Sequence, residues 1–144
     1  MPLTYSLAPH DWAICFHDDC PMKDTCLRRA IARLAPPTLT CHVTVLPTAR
    51  QGDQCPLFAT AEPVKIARGM TRLLPRAPQG QLSALREALY ALFGSASHYY
   101  RYREGLYPIT PQQQQRVEAL FRSHGIEEAP AYDQVTREYY FPEP

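Results

Sequence analysis

The stretch Cys15-Phe16-His17-Asp18-Asp19-Cys20-Pro21-Met22-Lys23-Asp24-Thr25-Cys26-Leu27-Arg28 sets the reading of this chain, because three closely spaced cysteines run straight into a helical pattern. Cys41-His42 and Cys55-Pro56 follow, so four of the five cysteines and two histidines fall between residues 15 and 42. Thiolates at short spacing suit a soft or borderline metal, since each is a polarisable anion and a folded loop can bring several to one point. Asp24 is positioned to cap a helix over Thr25 to Leu34. On that helix Cys26, Ala30, Ile31 and Leu34 lie near one face, Arg28, Arg29 and Arg33 take the others, and Pro36-Pro37 ends it. Cys26 then falls in the first helical turn, where the macrodipole favours the thiolate.

Working outward, residues 38 to 75 read as extended. Thr40-Cys41-His42-Val43-Thr44-Val45-Leu46 is rich in β-branched residues and stops at Pro47, as a strand does. A turn is expected at Gln51-Gly52-Asp53, and a short strand at Val64 to Ala67 before Gly69. Beyond it the pattern is mostly helical. Leu82, Leu85, Leu89, Leu92 and Phe93 recur at helical spacing with Gly94 as the stop. Thr110-Pro111-Gln112-Gln113 combines an N-cap, a proline at the first helical position and a capping-box glutamine, with Val117, Leu120 and Phe121 as the buried stripe and Gly125 as the close. His98 to Arg103 and Thr136 to Phe141 read as aromatic strands that pair in a small sheet. The expected architecture is a small single α+β domain over 1–144, with a short antiparallel sheet and about three to four helices. Its 1–75 half is cysteine-rich and organised by a metal site, and its 76–144 half is helical with aromatic strands.

Composition narrows the function classes. Lys+Arg 15 against Asp+Glu 14 leaves no global field toward nucleic acid or membrane, so any such affinity is local. Fifteen prolines are about twice the usual share and imply many irregular connections. Met1 to Ile14 lacks a basic n-region and a continuous apolar stretch, and no run of about eighteen apolar residues occurs. The expectation is a cytoplasmic protein with no membrane partner, in which five cysteines favour metal over disulfides. With six glycines and no glycine-rich phosphate loop, HExxH or GxSxG, no catalytic motif is found. A catalytic pair of Cys15 with His17, or Cys41 with His42, lacks a visible orienting group and oxyanion site.

The combination Cys-x4-Cys-Pro-x4-Cys-Leu-Arg, the later Cys-Pro, Met70-Thr71-Arg72-Leu73-Leu74-Pro75, Phe93-Gly94 before Tyr99-Tyr100-Arg101, Leu106-x-Pro108 and Gly125-Ile126 resembles a family of small uncharacterised bacterial proteins from gut Bacteroidales, a domain of unknown function. The resemblance covers nearly the whole chain and implies a shared fold but no activity. It also implies that Cys15, Cys20, Cys26 and Cys55 belong to the family pattern whereas Cys41 does not, which selects a four-thiolate set.

Four cysteines make a closed zinc site or hold a [4Fe-4S] cluster. The x4, x5 and x28 spacings match neither zinc-ribbon CxxC pairs nor the ferredoxin run. Zn2+ is favoured because one cysteine opens a helix and another follows a turn, with no redox-partner motif visible. Burial as plain small hydrophobes is the competing explanation, and Asp18-Asp19 is either an outer support for a metal or a solvated turn. A second constellation, Tyr99, Tyr100, Arg101, Tyr102 and Arg103, would on a strand put arginines on one face and tyrosines on the other, a pattern suited to phosphates and stacked bases when exposed. Arg68, Arg72 and Arg76 would add local positive charge, although Pro75 interrupts a helix through them. The expected function is a metal-binding accessory or regulatory protein that contacts nucleic acid, or a nucleic-acid-bound protein complex, through residues 99–103. The alternatives are an iron–sulfur protein with a redox or sensing role and a metal-stabilised protein–protein adaptor.

Overall fold

Helix periodicity and capping chemistry set the C-terminal half. In the computed structural model, which describes residues 2–74 and 79–143, α2 spans Leu82–Phe93 and α4 spans Pro111–Ser123, with α1 at Leu27–Arg33 and α3 at Ala96–Arg103. Leu85, Leu89 and Phe93 form the buried stripe of α2, and Gly94 ends it at φ 100°, a left-handed conformation that a side chain would strain. Thr110 accepts from the Gln113 amide at 3.2 Å while the Gln113 side chain accepts from the Thr110 amide at 3.0 Å, so the expected capping box of α4 is formed. Two strands, β1 at Val64–Arg68 and β2 at Gln134–Glu138, make an antiparallel sheet. The fold is therefore small and α+β, with four α-helices among the described residues.

The chain divides into two compact units. One comprises Met1–Val64 and Glu138–Pro144, the other Lys65–Arg137. The core of the second unit joins Leu85, Leu89 and Phe93 of α2 to Tyr99 of α3 and to Val117 and Phe121 of α4. Each such aliphatic or aromatic side chain taken out of water contributes roughly 1.5–3 kcal/mol before entropy is counted. Gly69, at φ 82°, brings its backbone against Asp133, whose amide donates to the Gly69 carbonyl at 3.0 Å. A Cβ there would collide with the Asp133 side chain.

Three sequence expectations are corrected. Residues 96–103 form α3 and not a strand, so His98 to Arg103 joins no sheet, and β1 is the partner of β2. Ser95 starts this helix by accepting from the His98 amide at 3.1 Å, and Tyr99 anchors it in the core, which outweighs the strand preference of tyrosine. The run Thr40 to Leu46 is no strand either, and its bridge is a parallel one between Thr44 and Ile14. Helix α1 is shorter than expected and rotated: Cys26 is its N-cap, Asp24 pairs with Arg33 at 3.2 Å without capping, and the buried face is Leu27, Arg28, Ile31 and Ala32. Leu34 is left exposed. The first unit has an apolar core of Trp12, Ile14, Leu27, Ile31, Ala32 and Ala59. Pro75 and Arg76 lie outside the described residues.

Candidate functional site: a thiol-lined cavity around a buried arginine

Arg28 is the buried charge of the first unit, at 2 % exposure. It reaches the interior because it sits beside Leu27 and one turn before Ile31 and Ala32, on the buried face of α1. Its Nε donates to the Leu57 carbonyl at 2.6 Å, Nη1 to the Ala13 carbonyl at 2.7 Å and Nη2 to the Pro142 carbonyl at 3.3 Å. The guanidinium also lies 4.2 Å from the Trp12 ring centroid, and Trp12 Nε1 donates to the same Pro142 carbonyl at 2.8 Å. One side chain thus ties together the segment before Cys15, the helix after Cys26 and the loop after Cys55. The Cys15 amide adds a bond to the Arg28 carbonyl at 3.1 Å, and the Leu27 amide one to the Ala59 carbonyl at 2.6 Å.

The consequence is convergence. Cys15, Cys20, Cys26 and Cys55, separated by up to forty residues of sequence, all line one cavity of about 30 Å³ together with His17 and Arg28. All five cysteines are free thiols. The four named thiols are partly buried while Cys41 is exposed and borders a different groove, beside His42 and His10. Among the described residues, however, no three Cys, His, Asp or Glu side chains stand grouped as metal ligands. The four cysteines that the family resemblance selects thus border one cavity without standing grouped as ligands.

Electrostatics couple these groups. Burial pushes the Cys15 thiol above its ordinary value; a hydrogen bond from the His17 backbone works against this, and charge on Cys26, Cys20 or Cys55 pushes it further up. Burial lowers the pKa of the Arg28 guanidinium, and the Cys26, Cys55 and Cys15 thiols oppose that shift. Among the described residues no carboxylate is within ion-pair distance of Arg28. The adjacent Asp18 and Asp19 are exposed and pair with partly buried cations, Asp18 with Arg29 and Asp19 with Arg50 at 3.2 Å. The Arg29 guanidinium pulls the Asp18 carboxyl below its usual range, first by hydrogen bonding and then by charge. Arg50 itself borders the cavity.

Sequence reasoning missed the role of Arg28 and weighed His17 only as a catalytic partner of Cys15. Arg28 was assigned to a solvent face, although its four-residue spacing to Ala32 places it on the buried stripe. His17 also lines the cavity, a position that cysteine spacing alone does not single out.

The residues of the second sequence constellation lie on and around α3. Tyr99 is buried at 1 % exposure, and its ring contacts Tyr90, Phe93 and Tyr100 with centroids 5.2, 6.3 and 5.2 Å away. Tyr102 packs on Phe93 at 4.6 Å and on Tyr107 at 5.3 Å. Arg101 donates to the Tyr107 hydroxyl at 3.1 Å, Arg103 pairs with Glu104 at 2.9 Å, and Tyr100 is 47 % exposed with its hydroxyl 3.2 Å from that of Tyr90.

Fold and cavity together define a small α+β protein with a thiol-lined cavity buttressed by a buried arginine. The chain belongs to the family of unknown function DUF6078, whose model matches residues 2–141. No curated protein and no solved structure matches it. No helix among the described residues is long and apolar enough to cross a membrane.

Proposed function

We propose that the chain is a zinc-binding accessory module whose N-terminal unit is locked by one Zn2+ on Cys15, Cys20, Cys26 and Cys55. The observation that carries this is the convergence of those four thiols on a single cavity of about 30 Å³. A cavity of that size admits a single ion. Four thiolates around a dication carry a net double negative charge, and Arg28, buried beside them without a carboxylate, offsets part of it. With every position taken by a protein ligand, the ion would serve structure and not catalysis. His17 is the alternative fourth donor at the same cavity.

Nucleic-acid contact through Tyr99, Tyr100, Arg101, Tyr102 and Arg103 gains no support from their surroundings. Tyr99 is enclosed and Tyr102 packs on Phe93, which leaves Tyr100 as the one exposed ring of the three and no run of rings for successive bases. Elemental analysis of anaerobically purified protein tests the zinc reading: one zinc per chain in a colourless preparation is expected. Iron in a brown preparation would replace it with the iron–sulfur alternative, and a metal-free chain would remove it.

A further inference from the structure

The second unit holds an open cleft of about 440 Å³, within the range of small-molecule sites. Arg86 of α2 and Tyr99, Tyr100 and Arg103 of α3 border it, over an apolar floor that includes Met70 and Leu82. Among the described residues Arg86 has no carboxylate within ion-pair distance, and the Arg103 guanidinium pairs with its exposed neighbour Glu104. Tyr99 adds an independent observation: its hydroxyl is buried and has no hydrogen-bond partner. A buried hydroxyl left unpaired is costly, and such groups in native proteins call for an explanation. Burial raises the Tyr99 pKa, and Arg103 and Arg86 act on it in the opposite sense, so the two cations that border the cleft are the ones this oxygen feels. The other hydroxyls nearby are committed, Thr71 to Asp133 at 2.8 Å and Tyr100 to Tyr90 at 3.2 Å.

We propose that this cleft binds a small organic anion, a phosphomonoester or carboxylate with an apolar body, whose head is held by the Arg86 and Arg103 guanidiniums and accepts the Tyr99 hydroxyl proton. Guanidinium forks fit either oxyanion, while Met70 and Leu82 cover the body. Every residue involved lies in the second unit, so the proposal stands apart from the zinc site.

Calorimetric titration of the full chain with phenyl phosphate, benzoate, inorganic phosphate and phenol tests it. Phenyl phosphate or benzoate is expected to bind saturably, and whichever is tighter assigns the phosphoester or the carboxylic-acid source. Inorganic phosphate, lacking the body, and phenol, lacking the charge, should bind at least about tenfold more weakly. Arg86→Gln and Arg103→Gln should each weaken the preferred probe by about tenfold or more. Tyr99→Phe should weaken it by roughly threefold to tenfold without lowering the melting temperature, since it deletes an unpaired hydroxyl and keeps the ring. Absence of saturable binding by both organic anions, or affinity unmoved by all three substitutions, overturns the proposal. So does equal competition, per phosphate, by a short single-stranded oligonucleotide, which would assign the arginines to a nucleic-acid backbone.

Discussion

Replacing Arg28 by methionine should unfold the first unit more than any other single surface-neutral change, and the structure sets the size of the effect. Methionine matches the length of the stem but leaves the Ala13 and Leu57 carbonyls, now bonded at 2.7 and 2.6 Å, without their donor. Each buried orphan costs about 1–3 kcal/mol. The Pro142 carbonyl keeps the Trp12 indole as a donor at 2.8 Å and adds little. Loss of the contact with the Trp12 ring removes a further ~0.5–2 kcal/mol. Against these stands relief from burying a charge, worth up to several kcal/mol, so the net is roughly 3 kcal/mol of destabilisation. That corresponds to a fall in melting temperature of about 10 °C. Arg28→Lys keeps the charge but not the three-way fork and should recover less than half of the loss. Trp12 is the one tryptophan of the chain and touches Arg28, so its fluorescence during a thermal melt reads this region directly. A melting temperature for Arg28→Met within about 3 °C of the parent would refute the assignment of Arg28 as the tie between the cysteine-bearing segments.

Three further outcomes are expected. Thr110→Ala removes one half of the capping box of α4 and should cost about 1 kcal/mol in a chemical melt, while Thr110→Ser should restore most of it. Gly69→Ala should destabilise by roughly 2 kcal/mol or more, because the residue combines φ 82° with a Cβ driven into Asp133; circular dichroism melts check this. Although partial burial works to raise the Asp133 carboxyl, the Thr71 hydroxyl and amide and then Arg72 hold it below its usual range. The contribution of that carboxylate is therefore complete above the ordinary carboxylate range and disappears as pH falls through its lowered folded value, so the stability gap between the parent and Asp133→Asn should be present at neutral pH and close in acid.

How far the sequence could be read depended on whether local chemistry or tertiary packing decided each segment. Helices α2 and α4 were legible because Leu82 to Phe93 carries a full apolar stripe and Thr110 to Gln113 carries its own stop signal, both local properties. Helix α3 was not, since Tyr-Arg alternation over 99–103 imitates a strand face, and what decides the matter is Tyr99 entering a core built by distant residues such as Val117 and Ile126. Thr40 to Leu46 had the composition of a strand but no neighbouring strand to complete a ladder, so only Thr44 bridges, to Ile14. At the candidate site, cysteine spacing and the family resemblance identified four thiols that do share one cavity. Arg28 stayed hidden because charged helix residues usually face solvent, and its satisfaction by backbone carbonyls leaves no complementary side chain to recognise in sequence.

The claim that Cys15, Cys20, Cys26 and Cys55 enclose one ion is tested most directly by titrating the metal-free chain with Co2+, a coloured substitute for zinc, and reading the visible bands of tetrahedral cobalt thiolate. The expected result is saturation at one equivalent with strong sulfur-to-metal absorption that zinc then bleaches, lost in the serine variant of each of the four cysteines and intact in Cys41→Ser. Weak octahedral colour in the parent chain, or an unchanged spectrum when any two of the four are replaced, would contradict it.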